Sequence, residues 1–526
     1  MKSDSILIVG GGSAGWMTAA TLIKLFPNKK ITLVESKDIK TVSVGESTLG
    51  QIKAWTHLLE IDEKDFMSFT DASYKLSIKF TDFYKKGSGG FHYPFGKPHV
   101  SKHSQMGVND WFLKKAYYPD TPVQDFARTF YPAMALIESN KISKNTDGKF
   151  GKFSFDRDVA YHFDAIKFAL WLKDKYSIPK GVNHIAATVK NIEVNDDGIS
   201  AIVLDGGERL TADLYIDCTG WKSLLLGQSL GEPFISYDDI LPNNRAWATQ
   251  VPYLDKSIEI EPYTNCTAID NGWVWNIPLW SRIGTGYVYS DRFISKEDAL
   301  EQFKDHLRNR MTIKDEKRIS DDLIFKDIEM RVGIHRRTWV KNVVAIGLSA
   351  GFIEPLESNG LLTIHEFLLK LVTFLGREVI NQWDRDIYNR GTFRFFDDFA
   401  QFVSLHYALS VREDTEYWRE IRSRSFSLDM VNCIPTTAKG FSDFADKKLF
   451  DNEYFHSEGI QHIATGMNYP IMDYSVIKVR EFYRDFNYKL FVDQISREWD
   501  RQKKIYENES KSSQTIYNYL KENIYS

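Results

Sequence analysis

Six residues near the start of the chain, Gly10 to Gly15, could bind the phosphates of a nucleotide. They fit the spacing G-x-G-x-x-G, follow a short apolar run (6–9) and precede a helical pattern (16–26). Such glycines allow a tight turn, and the amides at the helix start then face a pyrophosphate. A second apolar run (31–34) ends in Glu35, whose carboxylate could accept hydrogen bonds from a ribose diol. The predicted cofactor contacts are Gly10, Gly12, Ser13, Ala14, Gly15 and Glu35.

A second glycine-containing segment, residues 346–360, could hold a small anion. An apolar run (342–346) ends at Gly347 and Leu348, which we expect to lie beside the cofactor, and a helical pattern follows at 361–375. The unpaired amides at the start of that helix, near Asn359 and Gly360, carry the positive end of the helix dipole. The alternative is that Ser358 or Asn359 simply caps the helix.

The loop at residues 41–48 could also pass close to a cofactor. Its glycine is followed by Glu46, Ser47 and Thr48. We expect Glu46 to be a cofactor contact, although ordinary capping of the next helical pattern (49–59) explains these residue types equally well.

Two lysines, Lys75 and Lys79, lie in a stretch (74–80) where apolar and polar residues alternate. The two-residue period predicts a strand with both lysines on one face, and such a face is usually solvated. A loop with aromatic residues (87–96) and a stretch of weak periodicity up to residue 131 predict long connections, of the sort that often carry substrate contacts.

Composition excludes several classes of function. The chain has 526 residues, a net charge of -4 and three widely spaced cysteines without a C-x-x-C motif. This balance does not favour nucleic acid or an anionic membrane as partner, and it argues against a zinc site or a disulfide framework. No signal peptide or apolar stretch of eighteen residues is present, so we expect a cytoplasmic enzyme acting on a small substrate without a metal.

The remaining periodicities predict the elements that position these residues. We expect a long helix at 158–175, a hairpin at 189–204, a strand at 210–217 ending in a turn beside the cofactor, and paired strands at 273–279 and 284–289. Beyond about residue 380 the pattern is mostly helical. We therefore divide the chain into a core (1–380), with substrate loops at about 80–135, and a helical C-terminal region (381–526).

Several motifs in order resemble one known family. The string Trp273-x-Trp275-x-Ile277-Pro278, the PLES segment (355–358) and the glycine turn resemble the flavin-dependent halogenases of the tryptophan-halogenase type. Four further segments (161–165, 212–220, 241–248 and 406–418) are similar to family segments in the same order, so the resemblance extends to about residue 480. It implies an α/β fold with a doubly wound, Rossmann-like FAD-binding core, an antiparallel β-sheet layer and a mostly helical C-terminal region.

The resemblance also implies a reaction and its residues. Reduced FAD and O2 form a flavin hydroperoxide, a halide ion is oxidised to hypohalous acid, and the acid travels through a tunnel to an aromatic substrate. The implied catalytic residues are Lys79 and Glu357, with Ser358 orienting the substrate or intermediate; Lys75 is taken to match no catalytic position. The halide is expected at the amides of Asn359 and Gly360. The lysine could act as a haloamine or through a hydrogen bond to hypohalous acid, and the sequence leaves both open.

Substrate and halide follow less directly. The family commonly has threonine at the position of Asn359, which leaves chloride, bromide and iodide open. Residues 449–467 lack tryptophan, where family members that bind free tryptophan use a tyrosine, acid and Phe-Trp cluster, so we expect another electron-rich aromatic compound, such as an indole derivative. The pocket walls are predicted to include His92, Tyr93, Pro94 and Phe95. Trp273 and Trp275 either shield the flavin pocket or simply pack in a sheet.

Two other functions remain as alternatives. No second nucleotide turn for NAD(P)H is present, so reduced flavin is expected from a separate reductase. An FAD-dependent aromatic monooxygenase would share the fold but would usually bind its own reductant. A non-catalytic flavin-binding scaffold would have no need of Lys79 and Glu357. The oligomeric state stays open.

Overall fold

A computed structural model describes residues 1–37, 45–144, 146, 148–320, 322–423, 457–469 and 474–526. The first half of the predicted cofactor loop (41–44) and the first part of the tryptophan-free segment (449–456) lie outside these residues.

A mostly parallel six-stranded sheet forms the nucleotide-binding side of the fold. Strands β22, β13, β1, β2 and β9 run parallel, with Val9 beside both Val34 and Asp217, and β21 adds an antiparallel edge. The central strands are buried on both faces, as their continuous apolar runs predict. Their bounds are β1 (Ser5–Val9), β2 (Lys30–Glu35), β9 (Asn183–Ala186), β13 (Leu214–Asp217), β21 (Trp339–Val340) and β22 (Val343–Ala345).

A seven-stranded sheet lies on the other side and contains the two tryptophans of the W-x-W-x-I-P string. It is antiparallel except where β5 runs parallel to β16. Its order is β19-β15-β18-β17-β16-β5-β6. The bounds are β5 (Ser77–Thr81), β6 (Gly90–Pro94), β15 (Arg245–Val251), β16 (Tyr263–Ile269), β17 (Gly272–Pro278), β18 (Ile283–Tyr289) and β19 (Lys326–Glu329). The predicted parallel core, antiparallel layer and paired strands are confirmed.

Four small sheets connect these layers. The one that matters for the site has the order β3-β8-β4 and joins Gly45–Ser47, Ala160–Asp164 and Ser73–Lys75. The predicted hairpin forms the antiparallel pair of β10 and β11. The other bounds are β7 (Lys141–Ile142), β10 (Val189–Asn195), β11 (Gly198–Leu204), β12 (Arg209–Leu210), β14 (Phe234–Ser236), β20 (Gly333–His335), β23 (Gly351–Phe352) and β24 (Gln514–Thr515).

The predicted helix at 158–175 is wrong in its first part. Residues 160–164 form β8, which pairs with both β3 and β4, and helix α8 begins only at Ala165. Tyr161 and Phe163 fit a two-residue period as well as a helical one, and pairing with strands more than 80 residues away decides between them. His162, in the middle of this strand, is fully buried.

Helices cover the parallel sheet and build the C-terminal region, as predicted. The expected long loops at 80–135 in fact contain three short helices, α4, α5 and α6. No helix in the described ranges is long and apolar enough to cross a membrane. The bounds are α1 (Ser13–Leu25), α2 (Ile52–Leu58), α3 (Glu63–Phe69), α4 (Asp110–Tyr117), α5 (Gln124–Phe130), α6 (Met134–Ile137), α7 (Phe155–Asp158), α8 (Ala165–Trp171), α9 (Lys256–Glu259), α10 (Lys296–Asn309), α11 (Gly360–Leu375), α12 (Gln382–Ala408), α13 (Glu416–Ser423), α14 (Ser457–Gly466), α15 (Tyr474–Arg484), α16 (Tyr488–Lys511) and α17 (Ile516–Asn523).

Candidate active site

The glycine turn between β1 and α1 leaves no room for side chains at two of its glycines. Gly10 has φ +111°, and a Cβ there would overlap the carbonyl oxygen of Cys218. A Cβ at Gly15 would overlap the carbonyl oxygen of Gly10. Helix α1 begins at Ser13 with Gly12 as its N-cap, so the first amides of the helix are free of intrahelical partners. This geometry fits a pyrophosphate.

Glu35 lies beside this turn, at the end of β2. A Cβ on Gly11 would overlap its carboxylate. Glu35 Oε1 lies 2.7 Å from Lys173 Nζ and 2.9 Å from His184 Nε2. The carboxylate is therefore fixed beside the turn, where a ribose would follow the pyrophosphate.

The second glycine segment packs directly on the first. Gly347 has φ +71°, and a Cβ there would lie 2.7 Å from the Cβ of Ala14. The 3₁₀ turn Gly347–Ser349 thus borders the start of α1, with Leu348 at its centre. Nearby, one carboxylate oxygen of Asp217 accepts the amides of Leu225 and Leu226. Two close backbone approaches and a free helix start together fit a dinucleotide of the FAD type.

The PLES segment brings a strained backbone to the start of α11. Pro355–Glu357 form a 3₁₀ turn, and Ser358 then adopts the left-handed conformation at φ +57°. Helix α11 begins at Gly360, and the buried Asn359 has a side-chain oxygen without a hydrogen-bond partner among the described residues. The carboxylate of Glu46 lies about 4 Å from where a Cβ on Gly360 would stand. Burial raises the pKa of Glu46 to about 7.

Lys75, at the end of β4, is the lysine that contacts this segment. Its ammonium donates hydrogen bonds to the carbonyl of Thr48 at 2.9 Å and to the hydroxyl of Ser358 at 2.8 Å. The side chain is fully buried, with the ammonium 5.1 Å from the ring centroid of Phe95. Burial lowers the pKa of Lys75 to about 7, against opposing effects of Cys266 and Glu357.

Lys79 occupies a different place from Lys75. Its ammonium is 5.5 Å from the ring centroid of Tyr263, and its side chain is half-buried. The chain passes between two sheets at Leu76, because β4 pairs with β8 whereas β5 pairs with β16 and β6. The shared strand face inferred from alternation therefore does not exist.

Glu357 lines a cavity of about 740 Å³. Pro94, Phe95, Phe399 and Phe402 line it as well, so the predicted pocket residues Pro94 and Phe95 share it with Glu357. The predicted pocket residue His92 is not among the lining residues: its Nδ1 lies 3.0 Å from the hydroxyl of Ser77, and burial lowers its pKa to about 3. The neighbouring Tyr93, also predicted as a pocket wall, lines the cavity.

Two groups behind this cavity were not found from the sequence. His406 Nε2, on α12, lies 2.9 Å from Glu357 Oε1, and both side chains are buried. The hydroxyl of Ser358 donates to that of Ser47 at 3.0 Å, on the strand before Thr48. Both residues lie within segments that the sequence had singled out, but only the three-dimensional structure shows these contacts.

Glu354 anchors the PLES segment to the sheet and to α12. Its Oε2 accepts hydrogen bonds from Asn243 at 2.8 Å, from the indole of Trp273 at 2.9 Å and from Tyr407 at 2.8 Å. Burial raises the pKa of this carboxyl, although the three hydrogen bonds oppose the effect. Trp273 thus has a defined partner in addition to sheet packing, and its centroid lies 6.0 Å from that of Trp275.

The fold and this pair of glycine turns define a flavin-binding enzyme class, and comparison with known proteins gives the family. The tryptophan halogenase family profile matches residues 5–478. The tryptophan 6-halogenase SttH of Streptomyces toxytricini is 35% identical over 443 residues, which are 80% of this chain and 81% of that protein. The tryptophan 7-halogenase RebH of Lentzea aerocolonigenes is 34% identical over 80% of this chain and 78% of its own.

Solved structures agree with this result. The protein VirX1 superimposes with a TM-score of 0.90 at 39% identity, with all of both chains covered. The SttH structure superimposes with a TM-score of 0.83 over 98% of this chain and 99% of its own, at 31% identity. The chain belongs to the tryptophan halogenase family and is a flavin-dependent halogenase.

Proposed function

We propose that this enzyme uses reduced FAD, O2 and a halide ion to halogenate an electron-rich aromatic carbon, with Lys75 and Glu357 at the substrate site. The observation that carries the proposal is the junction of three groups, one of which lines the cavity. Glu357 lines the cavity, Ser358 follows it in the chain, and Lys75 hydrogen-bonds to Ser358 from a buried position beside Phe95.

Bound reduced FAD, with O2 and halide, would supply hypohalous acid. The pyrophosphate of FAD would bind at the glycine turn, which contains Gly10, Gly12, Ser13, Ala14 and Gly15. Glu35 would bind the ribose. Gly347 and Leu348 would lie along another side of FAD, and Glu46 lies at the far side of the same region. A separate NAD(P)H-dependent flavin reductase would supply the reduced flavin. This part of the proposal rests on the fit of the glycines and on family membership.

The halide would bind at the amides of Asn359 and Gly360. Helix α11 begins there, so these amides lack carbonyl partners within the helix and face an anion with the positive end of its dipole. The unpartnered oxygen of the Asn359 side chain is buried beside them. Asn359 occupies the position at which the family commonly has threonine. Bromide and iodide are therefore candidate halides in addition to chloride.

Lys75 replaces Lys79 in our assignment of the catalytic lysine. A lysine that acts on hypohalous acid must lie within reach of the substrate and of Glu357. Of the two lysines, only Lys75 meets this requirement. With a pKa near 7, part of Lys75 is a free amine at neutral pH, so the haloamine route is accessible without a strong base. Glu357 would take the ring proton of the halogenated intermediate.

The substrate would be an aromatic compound other than free tryptophan, for example an indole derivative. The cavity walls include the aromatic rings of Tyr93, Phe95, Phe399 and Phe402. Aromatic walls favour the binding of a flat ring, and they discriminate less between the substituents on that ring. We expect a small molecule of this class rather than a macromolecule.

The experiment supplies FAD, a flavin reductase, NADH, O2 and each halide in competition, with a panel of indoles, phenols and free tryptophan. Product masses identify halogenated compounds directly. Hydroxylated products in their place would select the aromatic monooxygenase, and absence of O2 uptake by the reduced protein would select the non-catalytic scaffold. The fixed position of Lys75 favours a halogenase over both the monooxygenase and the non-catalytic scaffold.

A further inference from the structure

Lys75 is one end of a buried chain of hydrogen bonds that reaches a second ionisable group. The members are all nine-tenths buried or more and belong to five different segments. Strands β3, β8 and β4 place Ser47, His162 and Ser73 directly beside one another across the sheet, and Thr264 projects from β16. In order, the chain runs through Lys75, Ser358, Ser47, Thr264, His162 and Ser73 to the carbonyl of Pro278.

The direction of every hydrogen bond in this chain is fixed by its far end. A carbonyl can only accept, so Ser73 donates its proton to Pro278. The Nδ1 of His162, 3.2 Å from Ser73 Oγ, must then be the donor of that pair. His162 is therefore the Nδ1–H tautomer, and its Nε2 is left to accept from Thr264 at 2.9 Å.

The remaining hydrogen bonds have a fixed direction as far as the lysine. Because Thr264 donates to His162, its oxygen accepts from Ser47 at 2.7 Å. Ser47 in turn accepts from Ser358 at 3.0 Å, and Ser358 accepts from the Lys75 ammonium at 2.8 Å. The hydroxyl protons of Ser358, Ser47 and Thr264 thus point away from Lys75 and towards His162.

We infer that His162 holds the Lys75 proton while Lys75 reacts as a free amine, so that His162 is a positioning and proton-holding residue of halogen transfer. This inference rests on the proposed function. One N–H bond of Lys75 breaks, the protons of Ser358, Ser47 and Thr264 each move one place, and an N–H bond forms at His162 Nε2. The amine then attacks the halogen of hypohalous acid, and the released hydroxide takes a second amine proton to form water.

The return step restores the starting state. Transfer of the halogen to the ring breaks the N–X bond and forms the C–X bond. The ring proton goes to Glu357, and the His162 proton returns through the hydroxyls to the nitrogen. Glu357 then gives its proton to the neutral amine, so no oxidant beyond hypohalous acid is consumed.

The surrounding charges suit a temporary carrier rather than a permanent acceptor. Burial, together with the Lys75 charge, keeps the pKa of His162 well below its usual value. The effect of the Lys75 charge on His162 disappears once Lys75 loses its proton. The state in which His162 holds the proton is therefore less costly in free energy than the lowered pKa of His162 implies. The titratable groups that act on Lys75 are Glu357 and Cys266, and Glu357 is the competing proton acceptor.

Thr264 offers a matched pair of variants that cut or keep the chain. Thr264→Val removes the hydroxyl at nearly constant volume, whereas Thr264→Ser retains it. His162→Gln can accept from Thr264 but cannot hold a proton. We expect Thr264→Val and His162→Gln to lower single-turnover halogen transfer by about 10²-fold at pH 7, as for loss of a proton-transfer group. The loss should shrink towards pH 9, where hydroxide takes the proton, and Thr264→Ser should keep the wild-type pH profile.

Each other outcome overturns the inference. If all three variants follow the wild-type profile, Glu357 takes the proton; if Thr264→Ser falls with the others, the effect is one of packing. Lys75→Ala, run alongside, must be inactive, and activity in that variant would overturn the proposed function itself. A measurement independent of turnover is ¹⁵N-histidine NMR with His162→Gln for assignment: a neutral Nδ1–H tautomer is expected, and an Nε2–H tautomer contradicts the chain.

Discussion

The ammonium of Lys75 lies 2.8 Å from the hydroxyl of Ser358, although 283 positions separate the two residues in the chain. This contact joins the end of β4 to the segment that carries Glu357 and the predicted halide site. The proposed active site therefore lies where the small sheet β3-β8-β4 meets the start of α11. The variants below test the parts of this junction separately.

Gly15→Ala should abolish FAD binding without unfolding the rest of the chain. The added Cβ would overlap the carbonyl oxygen of Gly10, so the turn must open. Gly376→Ala is the matched control, because a Cβ there meets its nearest neighbour only at 4.0 Å and the backbone is helical. Flavin titration by fluorescence quenching should show loss of binding for the first variant only. Equal affinities would contradict our placement of the pyrophosphate.

Halide affinity should fall as the pH rises through about 7. The pKa of Glu46 is raised by burial to about 7, so its carboxyl is neutral below this pH and carries a charge beside Gly360 above it. A negative charge at this range repels a halide, and because the neutral fraction of a carboxyl with a pKa of about 7 falls about tenfold from pH 6 to pH 8, we expect binding up to about tenfold weaker at pH 8. Glu46→Gln should bind halide with little pH dependence over this interval. A wild-type halide Kd that stays constant from pH 6 to 8 would exclude this linkage.

Glu354→Ala should destabilise the fold. It leaves the buried donors of Asn243, Trp273 and Tyr407 without their shared acceptor, at a cost of about 1–3 kcal/mol for each donor that finds no other partner. The exposed Glu378→Ala should change the free energy of unfolding by less than about 0.5 kcal/mol. Urea unfolding monitored by tryptophan fluorescence distinguishes the two. If Glu354→Ala matches its control, the network has no structural role.

Glu357→Gln should retain substrate binding and lose halogenation. The amide keeps the shape of the side chain that lines the cavity but cannot accept a proton, and we expect a loss of about 10²-fold or more in kcat with KM nearly unchanged. Rapid-quench analysis of product provides the rate. A wild-type rate in this variant would mean that another base removes the ring proton.

Much of the fold could be predicted from local patterns. The glycine turn, the buried strands of the parallel sheet and the paired strands around Trp273 and Trp275 each have a signal within ten to twenty residues, and all are present. The strand β8 was missed because its apolar spacing also fits a helix, and only pairing with β3 and β4 selects the strand.

The candidate site was less predictable for the same reason. Alternation correctly predicts extended backbone at 74–80, but it cannot show that the chain leaves one sheet at Leu76 and enters another. That change separates Lys75 from Lys79, and it is the reason why we propose the catalytic role for Lys75. Of the four loop residues predicted as pocket walls, Tyr93, Pro94 and Phe95 line the cavity and His92 is not among its lining residues.

The most direct test of the account compares Lys75→Ala with Lys79→Ala under identical supply of reduced FAD, O2, halide and an indole substrate. We predict that Lys75→Ala forms no halogenated product while still consuming O2 and reduced flavin, and that Lys79→Ala halogenates at a rate close to wild type. Halogenated product from Lys75→Ala, or its loss in Lys79→Ala alone, would contradict the assignment of Lys75.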